Sequence, residues 1–160
     1  MDRAHRYSVI WISLLVALFL QIMPLPQAVS SWRPDWVLLA LAYWTMALPN
    51  RVGVLTAFLM GLFLDVLLGA TMGVRSLALS VAIYLVAIQY QKLRHYSWVQ
   101  QMGIIASLSL AMHLMVYAVE TLNTGIELTF EYLRPVILTP LLWPWVFWLL
   151  RRTRRHYKVK

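Results

Sequence analysis

The chain has 160 residues, of which 61% are hydrophobic and 12% charged, with a formal net charge of +8 and no cysteine. That composition excludes an ordinary soluble domain, and the absence of thiols excludes disulfides, thiolate catalysis and sulfur-ligated metals. Nucleic-acid binding is not indicated either, because most of the positive charge is a cluster beside an apolar stretch, where it contacts anionic lipid headgroups and fixes orientation.

Six apolar stretches follow one another with short connections, which predicts a single all-α membrane domain over residues 1–160. The first, residues 7–23, starts after Arg6 and stops at Pro24-Leu25-Pro26, where a helix cannot continue. No small-residue cleavage site follows it, so it reads as a retained anchor. The second, Trp36–Leu48, would reach only about 20 Å against a hydrocarbon core of about 30 Å. Starting it at Ser31 lengthens it to residues 31–48, with Trp32 and Trp36 at the interface and Arg33 reaching outward. Pro34 and Asp35 then fall in a first helical turn, where proline loses nothing and a carboxylate meets the positive dipole end.

The third stretch, residues 52–68, carries the most regular pattern. Gly53, Ala57, Gly61, Asp65, Gly69 and Gly73 recur at every fourth position, on one drifting helix face where small residues admit another backbone. The face serves either packing within the chain or a partner helix. Asp65 falls in the outer half of the bilayer, where a carboxylate is costly unless paired. Arg75 and His113 are its candidate partners, a direct ligand or partner contact being the other reading.

The fourth stretch, residues 74–90, offers Ser76, Ser80 and Tyr84 at four-residue spacing for hydrogen bonds between helices. In the fifth, residues 98–119, Ser109, His113, Tyr117 and the following Glu120 face one way, lining the bundle interior or a cavity open to the outside. The segment Thr121–Tyr132 alternates polar residues with Ile126, Leu128 and Phe130, as a strand-like or short helical lid would. The sixth, residues 136–150, holds Pro140 and Pro144 just after Pro135, which predicts a bent helix. Trp143, Trp145 and Trp148 near its inner end fit an aromatic belt, and a basic tail, 151–160, follows.

Threading these stretches alternately across a bilayer sorts the charge. Arg3, Arg6, Arg51, Lys92, Arg94 and the tail's Arg151, Arg152, Arg154, Arg155, Lys158 and Lys160 fall on one side. Arg33, Arg75 and Arg134 fall on the other, with Asp35, Glu120, Glu127 and Glu131, and with Asp65 toward that face. Basic loops stay in the cytoplasm during insertion, so six spans with both termini cytoplasmic are predicted.

Catalytic patterns are missing. An intramembrane aspartyl protease needs two aspartates, and only Asp65 lies deep in a span. Ser107 and Ser109 sit within a helix beside His113 with no oxyanion donors in view. The four histidines stand singly, without metal-ligand spacing, and there is no phosphate-binding glycine loop. No enzyme, metal or cofactor is predicted.

Two runs carry a family resemblance. One is Arg33-Pro34-Asp35-Trp36-Val37-Leu38-Leu39, then Tyr43-Trp44, then Pro49-Asn50-Arg51-Val52-Gly53. The other is Gly61-Leu62-Phe63-Leu64-Asp65-Val66-Leu67-Leu68-Gly69, then Gly73 and Leu77-Ala78. Together with the size, the six stretches and the basic tail, they resemble the rod-shape-determining MreD family of bacterial inner membranes. By position, Pro34, Asp35, Arg51, Gly53, Gly61, Asp65, Gly69 and Gly73 match its features. The resemblance implies a non-enzymatic member of the cell-elongation complex that binds the bitopic protein MreC. Through MreC it would act on MreB filaments, the glycosyltransferase RodA and a class B penicillin-binding transpeptidase, assembling or regulating side-wall peptidoglycan synthesis. It also implies a bundle like the substrate-binding S components of energy-coupling-factor vitamin transporters.

Two functions compete. A scaffold would receive MreC's membrane helix on the small-residue row and the outward face of the bundle, and association with a second copy of the chain stays open. A vitamin carrier would dock on its transporter through an Ala-x-x-x-Ala pattern in the first helix, where only the looser Ser13-Leu14-Leu15-Val16-Ala17 is found.

Overall fold

The computed structural model describes residues 2–125, 127 and 129–159, with side chains from Tyr7 onward. The described residues form α1 (Asp2–Ile22), α2 (Gln27–Ser30), α3 (Trp36–Ala47), α4 (Val54–Leu68), α5 (Val74–His95), α6 (Trp98–Thr124), a 3-10 turn at Phe130–Leu133, and α7 (Arg134–His156), with no strand among them. Three helical stretches are long and apolar enough to cross a membrane: Val74–His95, Trp98–Thr124 and Phe130–His156. Tyr7–Ile22, Trp36–Ala47 and Val54–Leu68 are shorter apolar helices.

The long helices alternate in direction, as contacts at their ends show. At one end, the Arg51 guanidinium lies over the Tyr7 ring at 4.7 Å. There too, Arg94 near the end of α5 donates to the Met46 and Ala47 carbonyls that close α3, at 2.5 and 2.8 Å. At the other end, Arg33 donates to the carbonyls of Gln21 and Met23, both at 2.6 Å, and Arg134 reaches Ser31 at 2.6 Å.

α3 is the axis of the bundle. It touches α1, α5 and α7, and every residue from Val37 to Ala47 is buried. A helix apolar all round, such as this one, suits a site walled by other helices on every side. It also begins later than the sequence suggests. Residues 31–35 are turn and extended chain, so the span predicted from Ser31 is corrected to a helix of 12 residues starting at Trp36, about 18 Å long. Pro34 is the reason: it pushes Arg33 out of helical conformation. The Trp36 N–H then turns back onto the Pro34 carbonyl at 3.0 Å. Asp35 consequently stands just ahead of the helix as its N-cap rather than inside its first turn.

α4 and α5 make the most extensive helix pair. Gly61 allows it: a Cβ built there would lie 2.3 Å from Ser76 Cα and 2.7 Å from Ser76 N. The intervening turn is made at Gly69 and Gly73, whose φ of 62° and 94° suit glycine. Between α6 and α7, α6 continues to Thr124 and ends at Gly125. Phe130–Leu133 is helical there, whereas Ile126 and Leu128 of the predicted lid lie outside the described residues. α7 continues through Pro140 and Pro144 as one helix.

Candidate functional site

The most connected buried group is the Asp35 carboxylate, 3% exposed. Pro34 and the cap position hold it where α3, α6 and α7 meet. Its Oδ2 accepts from Ser109 Oγ at 2.6 Å and from Thr139 Oγ1 at 3.4 Å. His113 Nε2 lies 3.0 Å from Oδ2 and 3.2 Å from Oδ1. The Asp35 backbone N–H in turn donates to Thr139 Oγ1 at 3.0 Å. Ser109 and His113 stand one turn apart on α6, so they reach the same carboxylate together. A buried carboxylate satisfied on this scale holds three helices in register.

These residues include a serine, a histidine and an aspartate, but their order is wrong for nucleophilic catalysis. A triad needs the imidazole between hydroxyl and carboxylate, so that it takes the hydroxyl proton. Here the carboxylate stands in the middle and receives both partners. The arrangement supports cohesion rather than proton transfer from serine.

Asp65 forms a second junction and is fully buried. Its Oδ2 accepts from the backbone N–H of Gly73 at 2.9 Å and of Ser76 at 3.4 Å, and its Oδ1 from that of Arg75 at 3.3 Å. Of the two expected partners, Arg75 meets Asp65 through a hydrogen bond from its backbone N–H, whereas His113 is corrected to a partner of Asp35. The physical reason is the turn at Gly69–Gly73, which brings the unpaired N–H groups opening α5 against the end of α4. A carboxylate from the neighbouring helix caps them and complements the dipole.

The remaining sequence candidates separate. Ala57, Gly61 and Asp65 are buried, with α5 on the Gly61 face, so a helix of the same chain fills that part of the small-residue row. Gly69 and Gly73 serve the turn, and Gly53 is an extended N-cap of α4. Tyr117 and Glu120 do not join Ser109 and His113. Glu120 Oε2 accepts from Tyr132 at 2.9 Å, and the Tyr117 and Tyr132 rings meet edge-on at 6.0 Å, fastening the 3-10 turn to α6. Among the described residues no three His, Asp or Glu side chains come together as a metal site would need.

Three anchoring residues escaped the sequence reading. Thr139 completes the Asp35 junction. Gln21 Oε1 accepts from the Val37 N–H at 3.3 Å. Gln101 donates to the Leu93 carbonyl at 2.8 Å and accepts from Trp143 Nε1 at 3.0 Å. Each is an uncharged polar residue in an apolar stretch, a weak signal that could have marked them.

Residues 2–153 match the family described as rod shape-determining protein MreD. The rod shape-determining protein MreD of Haemophilus influenzae (strain ATCC 51907 / DSM 11121 / KW20 / Rd) is 34% identical over 160 residues, covering 96% of this chain and 98% of that protein. No solved structure matches the chain.

Proposed function

Because this chain belongs to the MreD family of rod shape-determining proteins, we propose that it is a non-enzymatic, multi-pass component of the bacterial inner-membrane complex that elongates the cell. In this reading it crosses the membrane six times as one domain, with both termini cytoplasmic and a bundle like that of the vitamin-transporter S components. The alternation of the long helices supports the threading, and so does the gathering of Arg51, Arg94 and the α7 arginines at one end. α3 is short for a span, yet neighbouring helices cover it on all sides.

The protein binds MreC and, through it, works with MreB, RodA and a class B penicillin-binding transpeptidase on the side wall. Since α5 fills the Gly61 face, MreC meets the bundle on a lipid-facing surface elsewhere. One observation carries the non-enzymatic reading: the two buried carboxylates, Asp35 and Asp65, and the Ser109 and His113 side chains beside the first are bound to one another or to backbone N–H groups. Pull-down of the tagged protein from its native membranes, followed by mass spectrometry, tests the assignment. MreC and the wall synthases are the expected companions. Recovery of transporter ATPases in their place would assign it to vitamin uptake.

A further inference from the structure

A groove of about 790 Å³ runs along the bundle between α1 and α7, floored by α3. Val16, Ala17 and Leu20 of α1, Ala40 of α3, and Leu149 and Leu150 of α7 give it aliphatic walls. The lining turns polar toward the end where α1 begins and α7 finishes, with Ser8, Thr153 and Tyr157. Four arginines, Arg151, Arg152, Arg154 and Arg155, stand on α7 at the level of that mouth, with Arg152 and Arg154 on either side of the lining Thr153. Arg151, Arg152 and Arg155 are exposed, and Arg152 is steadied over the Trp148 ring at 5.4 Å. Asp35, Asp65, Glu120 and Glu131 all lie toward the opposite end. The groove is thus apolar along its length, hydroxyl-lined at one mouth, and flanked there by cations.

We propose that this groove is a binding site for an anionic phospholipid of the cytoplasmic leaflet. An acyl chain lies between α1 and α7, and the phosphodiester meets the hydroxyl and arginine rim. The leaflet assignment rests on the orientation proposed above. Burial of methylene groups in the walls and attraction at the rim act on the two halves of one molecule. A transmembrane helix of another protein would fill the apolar length equally well. Such helices, however, carry lysine and arginine at their cytoplasmic ends, which would meet the rim with like charge. A phosphate meets it with opposite charge.

The test uses the full chain in nanodiscs of phosphatidylcholine containing a minority of phosphatidylglycerol, with retained lipid read by native mass spectrometry. Val16→Trp with Leu149→Trp fills the groove from two exposed positions, and Leu67→Trp is the control on another exposed position. Helix content by circular dichroism shows that each variant is folded. The wild type and the control are expected to retain phosphatidylglycerol over phosphatidylcholine, and the groove-filling pair to lose it. Arg152→Gln with Arg154→Gln should lower the preference for the anionic lipid about tenfold. Equal retention of both lipids, or retention indifferent to groove filling, would overturn the proposal. So would a co-purifying membrane polypeptide that the tryptophan pair displaces while phosphatidylglycerol stays bound. Both faces of a nanodisc offer the same lipid, so this result does not depend on orientation. Labelling of Lys158→Cys in intact cells, against an otherwise cysteine-free chain, reads orientation separately.

Discussion

Asp35 and His113 stand 78 residues apart in sequence and 3.0 Å apart in space. Their contact joins the start of the buried axial helix α3 to the middle of α6, and Ser109 and Thr139 extend it to a three-helix junction. Three helices are therefore tied together by a single carboxylate near the end of the bundle where α3 begins.

Removing that carboxylate should cost more than removing any of its donors. His113→Ala is expected to lower stability by about 1–2 kcal/mol, the scale of one hydrogen bond between helices in a membrane. Asp35→Ala strips the acceptor from Ser109, His113 and Thr139 together and should cost about 3–5 kcal/mol. Unfolding in mixed micelles, arranged as a double-mutant cycle, checks both. A coupling near zero would show that the contact contributes nothing.

Two glycines on different helices give opposite expectations. Gly61→Ala drives its methyl into the Ser76 backbone, so α4 and α5 must part, at about 1–3 kcal/mol. Gly103→Ala in α6 meets nothing within 4 Å and should leave stability unchanged or raise it by up to about 1 kcal/mol. Thermal unfolding of the detergent-solubilised protein ranks the two.

Asp65 acts as a helix cap supplied from a neighbouring helix. Asp65→Ala should cost about 2 kcal/mol, the upper range for losing a cap, and Asp65→Asn less, because one acceptor oxygen remains. Hydrogen exchange of the Gly73, Arg75 and Ser76 amides provides the direct readout. All three should exchange faster in the alanine variant, while amides in the middle of α5 keep their protection.

At the opposite end of α3, Arg94 spans the two last carbonyls with its guanidinium fork. Arg94→Lys keeps the charge and loses the paired geometry, with an expected cost of about 1 kcal/mol. Exchange at the C-terminal turn of α3 would report it, and an unchanged rate would show that charge alone is enough.

Local patterns in the sequence carried much of the architecture. The apolar stretches located the six principal helices, and the four-residue spacing of Gly61 with Asp65 marked the face that meets α5. Ser109 and His113 share one face of α6, as their spacing predicts, but His113 meets Asp35 rather than Asp65. That pairing is set by how α3 and α6 lie against each other, and spacing within either helix does not record it. Interfacial tryptophans and the length of a span favour a start at Ser31, but Pro34 keeps Arg33 out of the helix and α3 starts at Trp36. A helix enclosed by protein need not match the thickness of the bilayer.

The most direct measurement is of cell form. In the bacterium that carries this chain, depletion is expected to turn rods into widening, rounded cells, and restoring the protein to restore the rod, with vitamin uptake unchanged throughout. Rods that keep their width after depletion, while uptake of a vitamin falls, would contradict it.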